Sequence, residues 1–197
     1  MRKDKKTFII AEAGVNHNGS LKKALRLIDV ATLAGADAIK FQTFKAERIA
    51  TKFAPKAQYQ KNVVFKKETQ FQMLKKLELT RNMHLKCIQY CKQKKIAWFA
   101  SAWDLKSVSF LTDFNFKYNK IASAMIVDEV FLQTIAKQKK YTFISTGMSN
   151  YEHIDKAVKI FKENKCEFEL MQCVSAYPFD DSMANLNLIK AMRERYN

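Results

Sequence analysis

The sequence predicts an α/β fold, a TIM-type (β/α)8 barrel of which the chain contains the first six βα units. Apolar runs of strand length alternate six times with segments of helical periodicity, the pattern of parallel strands joined by helices. The runs are mostly apolar, as expected for strands that are covered on both faces. No glycine-rich dinucleotide-binding motif follows the first run, so the pattern favours a barrel over a doubly wound sheet.

Each predicted strand is a short apolar run that ends in polar or turn-forming residues. The six strands span Thr7–Gly14, Asp37–Phe44, Ile96–Trp103, Tyr118–Ser123, Tyr141–Gly147 and Glu167–Ser175. A complete barrel of this type has eight units and about 250 residues. We therefore expect residues 1–197 to form the N-terminal part of a barrel, with no second domain among them.

Capping residues mark two of the helices that connect these strands. Ser20 is a good N-cap for a helix that Gly35 ends. Ser149 and Glu152 have the spacing of a capping box at the start of the helix that follows the fifth strand. Both segments repeat apolar residues three and four positions apart, so each predicts an amphipathic helix.

The connection between the second and third strands is the longest. Its first part, Lys45–Lys67, is basic, contains a proline and shows little periodicity, so we interpret it as an extended loop. Glu68–Leu79 and Thr80–Lys95 then predict two helices. Long loops in compact domains are usually functional.

The composition is that of a globular protein with a basic surface. Of the 197 residues, 35 are Lys or Arg and 19 are Asp or Glu, which gives a formal net charge of +16, and 48% are hydrophobic. The lysines are scattered along every segment instead of forming one stripe, so we expect no nucleic-acid partner. Uncharged apolar runs reach about eight residues, whereas a membrane-spanning helix needs about 20, so we expect no membrane span.

The cysteines and the start of the chain predict a cytoplasmic protein. Four cysteines form no dense disulfide pattern, which is typical of a reducing compartment. The basic segment Met1–Lys6 resembles the start of a signal peptide, but Glu12 interrupts the apolar run behind it. We therefore expect no signal peptide.

Polar side chains follow the predicted strands at their carboxyl ends, where barrel enzymes have their active sites. Two of them, Lys40 and Lys120, belong to apolar strands, and a buried ammonium without an anionic partner is strongly unfavourable. A phosphate group surrounded by serine hydroxyls would supply that partner. Two alternatives stay open: a structural carboxylate such as Glu12 pairs with the lysine, or the lysine forms a Schiff base as in barrel aldolases. The candidate site residues are Glu12, Lys40, Gln42, Ser101, Lys120, Ser123, Ser145, Ser175 and Tyr177.

The histidines and cysteines do not predict a metal site. His84, Cys87 and Cys91 share a helix face, but a fourth ligand is missing, so we interpret the cysteines as core residues and His84 as partly exposed. His17 follows the first strand and lies near the candidate site. His153 lies in the first turn of a helix and is interpreted as a surface residue.

Five segments of the chain resemble the N-acetylneuraminate (sialic acid) synthase family, in the family's order and over essentially the whole chain. They are Phe8–Gly19, Gly35–Thr43, Lys120–Ser123, Ser145–Met148 and Cys173–Pro178. The resemblance implies an enzyme that condenses phosphoenolpyruvate with an N-acylated amino sugar of the N-acetylmannosamine type. Phosphate is released, and the product is a nonulosonic acid for surface carbohydrates. A divalent metal, Mn or Mg, polarises the sugar aldehyde in this family.

The resemblance also implies a role for each candidate residue. Glu12 would lie near the reacting centre, with Gln42 and Tyr177 towards the sugar, and Ser175 stands where the family commonly has an asparagine. The lysines would position and neutralise phosphoenolpyruvate without forming a Schiff base. The residues expected to hold phosphoenolpyruvate are Lys40, Ser101, Lys120, Ser123 and Ser145.

Two departures from the family pattern affect what the resemblance implies. Ala124–Met125 replaces a Gly-Glu pair whose carboxylate binds sugar hydroxyls, and methionine cannot form those hydrogen bonds, so the amino sugar stays open. The family's metal ligands and its C-terminal antifreeze-like domain, which completes the partner's site in the homodimer, are expected outside these 197 residues. A truncated, catalytically inactive remnant of the barrel is therefore the alternative to an active synthase.

Overall fold

The computed structural model describes residues 7–56 and 68–196 of the chain. The described strands are parallel neighbours in the order β1-β2-β3-β4-β5-β6, so each strand lies beside the strand that precedes it in the sequence. The strands are β1 (Ile10–Gly14), β2 (Ala38–Thr43), β3 (Ala97–Ala102), β4 (Tyr118–Ile121), β5 (Tyr141–Ser145) and β6 (Phe168–Met171). The helices are α1 (Leu21–Leu33), α2 (Ala46–Ile49), α3 (Gln70–Leu77), α4 (Arg81–Lys94), α5 (Leu105–Thr112), α6 (Glu129–Ala136), α7 (Tyr151–Glu163) and α8 (Asn187–Tyr196). The predicted α/β class and all six predicted strands are confirmed.

The described residues form two compact units, which meet in sequence within β3. The first unit contains residues 7–56 and 68–100, and the second contains residues 101–196. No helix of these described ranges has the length and apolar character that a membrane crossing requires.

In the first unit, β1 pairs with β2 so that Glu12 lies opposite Lys40. The register shifts between Glu12 and Gly14, where the strand has an irregularity. The bulge brings the chain into Gly14 with φ +52°, a backbone conformation that glycine adopts without a steric penalty. Pairing resumes at Gly14, opposite Phe41, and β1 ends there, two residues after Glu12.

The predicted caps of the first unit are confirmed at the start of α1. The Lys23 N–H donates to the Ser20 hydroxyl, and the helix ends two residues before Gly35. The two helices predicted for 68–95 are also present, as α3 and α4, and the hydroxyls of Thr69 and Thr80 cap them. Helix caps of this type contribute about 1 kcal/mol each.

The interpretation of Lys45–Lys67 as an extended loop is wrong at its start, where α2 forms one helical turn. Glu78 explains the turn, because its carboxylate accepts the Ala46 N–H (3.0 Å) and pairs with the Lys45 ammonium (2.8 Å). Glu78, which is distant in sequence, thus accepts from the Ala46 N–H, a donor that has no partner within the helix. The remainder of this prediction falls partly on residues 57–67, which lie outside the described residues.

In the second unit, β4 pairs with β5 and β5 pairs with β6. The core contains the fully buried rings of Phe131 in α6 and Phe161 in α7. Truncation of such a ring to alanine costs about 3–5 kcal/mol, so these rings anchor both helices.

Several predicted boundaries in the second unit are wrong: β4 ends at Ile121 and β5 at Ser145, each two residues before its predicted end. Asn150, not Ser149, caps α7: its side chain accepts the His153 N–H (3.0 Å), and His153 completes the capping box in place of Glu152. Ser149 instead donates its hydroxyl to the Gly147 carbonyl. Strand β6 ends at Met171, whose carbonyl accepts from both the N–H and the hydroxyl of Thr146, and Ser175 follows in a loop.

His84 is fully buried, so its expected partial exposure is wrong. The Thr80 carbonyl accepts from Nδ1 (2.9 Å), which leaves Nε2 to accept the Thr43 hydroxyl (2.9 Å). Both ring nitrogens are therefore used in packing α4 against β2. Cys87 and Cys91, on the same helix face, are buried core residues as predicted.

His17 is also fully buried, and its environment keeps the ring neutral. The Gly19 N–H donates to Nδ1 (3.0 Å), while Nε2 has no hydrogen-bond partner among the described residues. Burial, with a smaller contribution from His84, lowers the pKa of His17 to about 4. The folded chain therefore resists protonation at this ring.

We expect the free energy of unfolding to fall as the pH drops from 6.5 to about 4. Over this interval the unfolded chain binds a proton at His17 and the folded chain does not, so stability is lost by roughly 1 kcal/mol per pH unit. Thermal unfolding between pH 4 and 8 measures the effect. His17→Asn keeps an acceptor for the Gly19 N–H and makes the pH dependence shallower, with the contribution of buried His84 remaining, because burial lowers the pKa of His84 as well. His153→Gln, which suits the capping position, leaves the pH dependence intact. Equal pH dependence in His17→Asn and the unaltered protein would contradict the assignment.

Candidate functional site

In the second unit, four of the candidate site residues and two of their neighbours lie in one group, which we call the Lys120 cluster. Lys120 lies on β4 opposite Phe143 of β5, and the two-residue period of the strand places Ser145 on the same face. Lys120 is 8% exposed, and its ammonium donates to the Ile121 carbonyl (2.7 Å) and to the Ser145 hydroxyl (2.5 Å). The members of the cluster are Lys120, Ser123, Ser145, Gly147, Cys173 and Ser175.

Gly147 joins the serines that follow β4 and β6. Its N–H donates to the Ser123 hydroxyl (3.0 Å). A Cβ at this position would collide with the Ser175 hydroxyl and would lie 2.8 Å from the Ser123 hydroxyl. Glycine is therefore required because the two hydroxyls occupy the space of a side chain.

Cys173 extends the cluster from the loop after β6. Its thiol donates to the Ser145 hydroxyl (3.2 Å), the same oxygen that accepts from Lys120. Ser101, at the end of β3, lies opposite Lys120 in the strand pairing and is almost fully buried. One ammonium and several hydroxyls in a partly buried setting form a donor set suited to an oxyanion such as phosphate or carboxylate.

The first unit holds a second group, formed by Glu12, Lys40, Gln42 and Gly14. The Glu12 carboxylate and the Lys40 ammonium are 2.5 Å apart; the lysine side chain is 8% exposed and the glutamate side chain 51%. A Cβ on Gly14 would lie 2.9 Å from Glu12 Oε1 and 3.5 Å from Gln42 Nε2. The ion pair of Lys40 with Glu12, one of the two alternatives that the sequence left open, is present in the structure.

The nine candidate residues thus fall into two groups and one exposed position. Lys120, Ser123, Ser145 and Ser175 lie in one cluster, with Ser101 beside it in the strand pairing, while Glu12, Lys40 and Gln42 form the group around Gly14. The ninth, Tyr177, follows the loop after β6 and is 68% exposed, so its role towards a sugar stays a prediction.

Sequence reasoning did not identify Gly14, Gly147 and Cys173 as parts of these groups. A signal for the glycines exists, because the chain has only four, and these two stand at the ends of predicted strands. Cys173 belongs to a segment used for the family resemblance, but its contact with Ser145 spans 28 residues and has no local signature.

The described residues do not fit the divalent metal that the resemblance implies. No three His, Cys, Asp or Glu side chains are grouped as metal ligands anywhere in the two described ranges. Among the histidines, His84 uses both ring nitrogens and His153 caps α7. His17 Nδ1 accepts a hydrogen bond from the Gly19 N–H.

Comparison with known proteins agrees with these features. The NeuB family model matches residues 27–197. The N,N'-diacetyllegionaminic acid synthase of Campylobacter jejuni is 38% identical over 195 residues, which are 98% of this chain and 58% of that protein. The pseudaminic acid synthase of the same species is 35% identical over 98% of this chain and 57% of that protein.

A solved structure supports the same relationship. The N-acetylneuraminic acid (sialic acid) synthetase of Leptospira borgpetersenii, in complex with citrate, superposes with a TM-score of 0.85 at 32% identity, over 98% of this chain and 62% of that chain. The chain thus spans somewhat more than half the length of the curated relatives described above. Because the family model covers most of the chain and the motifs occur in the family's order, the resemblance is confirmed and the chain belongs to the NeuB family.

Proposed function

We propose that this protein condenses phosphoenolpyruvate with an N-acylated amino sugar and releases inorganic phosphate, as a transferase of the sialic acid synthase type. The product would be a nonulosonic acid for surface carbohydrates. The main support for the proposal is the Lys120 cluster, a set of hydrogen-bond donors suited to an oxyanion, in a member of the NeuB family. The relatives named above are synthases of legionaminic and pseudaminic acid, products of this chemical class.

The Lys120 cluster holds one anionic group of phosphoenolpyruvate in this proposal. The Lys120 ammonium neutralises its charge, and the hydroxyls of Ser123, Ser145 and Ser175 donate hydrogen bonds to its oxygens. All of these bonds to an anion are charge-assisted and therefore stronger than neutral ones, and Lys120 is the member of the cluster that also carries a full positive charge. Ser101, beside Lys120 in the strand pairing, adds a further hydroxyl.

Glu12 is the proposed catalytic residue. Lys40 holds one oxygen of its carboxylate, while the half-exposed side chain leaves the other side open to a reactant. The enol carbon of phosphoenolpyruvate attacks the sugar aldehyde, water adds to the resulting cation, and the C–O bond to phosphate then breaks. A carboxylate accepts or returns the protons that these steps move. Gln42, whose amide lies over Gly14 beside Glu12, and Tyr177 are proposed to contact the sugar.

The N-acetylmannosamine-type sugar is the proposed acceptor, and its exact substituents depend on the loop after β4. Ser123–Met125 forms a single 3-10 turn, in which Ala124 and Met125 take the place of the family's Gly-Glu pair. Neither side chain binds hydroxyls, so an acceptor with fewer free hydroxyls or with additional acyl groups suits this turn. Assays therefore include mono- and di-N-acylated sugars.

The six βα units are proposed to belong to a complete (β/α)8 barrel in a cytoplasmic enzyme. The superposition on the Leptospira synthetase, with a TM-score of 0.85, supports a common architecture. A homodimer, and a Mn or Mg ion held by residues other than the described ones, are proposed on the family relationship alone.

The test measures phosphate release by the protein purified from its native source, with phosphoenolpyruvate and each candidate sugar. We expect release only when both substrates are present. Glu12→Gln should lower kcat by about 100-fold or more, because a positioned acid–base group contributes that much, with little change in the Kd of phosphoenolpyruvate. Glu152→Gln, which removes an exposed carboxylate on α7, is the matched control.

Two results would contradict different parts of the proposal. An unchanged kcat in Glu12→Gln would remove Glu12 from catalysis but leave the condensation intact. Failure of the unaltered protein to bind phosphoenolpyruvate would exclude the function itself.

A further inference from the structure

The Ser145 hydroxyl is the point at which the contacts of the Lys120 cluster meet. Its oxygen accepts one hydrogen bond from the Lys120 ammonium (2.5 Å) and another from the Cys173 thiol (3.2 Å). A serine oxygen has two lone pairs and a single O–H. Both lone pairs are therefore occupied, and the O–H is the only hydrogen-bonding capacity that Ser145 retains.

The direction of that O–H follows from the two donors. Neither Lys120 nor Cys173 faces the hydroxyl as an acceptor, because both present hydrogens to it. Among the described residues, Ser145 has no acceptor for its own hydrogen. The hydrogen is thus available to an anion bound beside Lys120. A hydroxyl without these two donors would first have to rotate about its C–O bond.

Cys173 supplies the second of these constraints from a different element, the loop after β6. Without its S–H, one lone pair of Ser145 is open and the hydroxyl can rotate among several orientations. An ordered donor loses less entropy when it binds a ligand, which is the general advantage of a pre-organised site. The thiol therefore affects the affinity for the anion by acting through Ser145.

We propose that Cys173 is a positioning residue for phosphoenolpyruvate, fixing the Ser145 hydroxyl so that its hydrogen points at the bound anion. The inference rests on the proposed function. Cys173 contacts Ser145, one of the hydroxyls proposed to bind the anion. The thiol donates a hydrogen bond and undergoes no covalent change during the reaction.

The other cysteine of the second unit provides a matched control. Cys166 is buried before β6, and its thiol donates to the Lys140 carbonyl (3.3 Å), a contact that involves no member of the Lys120 cluster. Cys166→Ala and Cys166→Ser thus make the same chemical changes as the two Cys173 variants, at a comparable thiol hydrogen bond in the same unit.

The experiment measures the Kd of phosphoenolpyruvate by calorimetry and both KM values by steady-state kinetics, with thermal unfolding to verify folding. Cys173→Ala should weaken phosphoenolpyruvate binding about fivefold to tenfold, the usual effect of one hydrogen bond, and should leave the KM of the sugar unchanged. Cys173→Ser retains a donor and should restore most of the affinity. Cys166→Ala and Cys166→Ser should leave the Kd of phosphoenolpyruvate and both KM values unchanged.

A double-mutant cycle with Ser145→Ala tests the route of action. If Cys173 acts through Ser145, then Cys173→Ala adds no loss of affinity to a protein that already carries Ser145→Ala. Additive losses, or an unchanged Kd in Cys173→Ala while the unaltered protein binds phosphoenolpyruvate, would overturn the positioning role alone. Absence of binding to the unaltered protein would overturn the proposed function together with this inference.

Discussion

Replacement of Lys120 by methionine is expected to raise the Kd of phosphoenolpyruvate by about 100-fold, which corresponds to about 3 kcal/mol. The ammonium supplies the positive charge of the Lys120 cluster and donates to the Ser145 hydroxyl, so its removal leaves an anion among neutral donors. Methionine fills much of the space of the lysine stem and buries no charge, so the fold should persist. Calorimetric titration with phosphoenolpyruvate gives the Kd, and thermal unfolding verifies the fold.

Lys117→Met is the matched control for the charge. Lys117 is exposed, precedes β4 by one residue and contacts the ring of Tyr118. Its replacement removes the same formal charge without touching the cluster, so the Kd should change by less than about twofold, as expected for a screened surface charge. Similar losses in both variants would show that net charge, and not the cluster, controls binding.

Replacement of Gly147 by alanine is expected to reduce both stability and affinity. The new methyl group would collide with the Ser175 hydroxyl and crowd the Ser123 hydroxyl at 2.8 Å, and overpacking of this kind costs about 1–3 kcal/mol. The displaced serines would no longer present their hydroxyls to the anion, so we expect a rise of roughly tenfold in the Kd of phosphoenolpyruvate as well. Denaturant unfolding and calorimetry measure the two effects.

Gly35→Ala separates the loss of stability from the loss of affinity. Gly35 has φ +74°, so alanine there strains the backbone by about 1 kcal/mol, yet no neighbouring atom lies within 4 Å of the added Cβ. The control should be less stable with an unchanged Kd. A Gly147→Ala protein that binds phosphoenolpyruvate as tightly as Gly35→Ala does would show that the serines tolerate displacement.

Much of the fold was predictable because its signals are local. The apolar strands and their parallel order follow from hydrophobic patterning, and the strand positions of Lys40 and Lys120 follow from the apolar runs that contain them. The pairing of Lys40 with Glu12 was one of the alternatives that the sequence left open, because both residues belong to neighbouring predicted strands. Strands with a clear apolar pattern and a simple topology leave few alternatives.

The features that sequence reasoning missed depend on contacts between distant residues. His84 is buried because Thr43, 41 residues away, satisfies its Nε2, and no helix-face pattern contains that information. The start of α7 illustrates a different difficulty, since Ser149 and Asn150 are adjacent and both are good caps. Asn150 caps the helix because the Ser149 hydroxyl donates to the Gly147 carbonyl instead.

The buried cysteines make natural reporters of local opening. Burial raises the pKa of the Cys87 thiol to about 11 and that of Cys91 to about 12, so in the folded chain neither presents a reactive thiolate at neutral pH. Both belong to the first unit, whereas the buried Cys166 belongs to the second. The rates at which a maleimide labels these thiols therefore report how often each unit opens, without any probe having to be introduced.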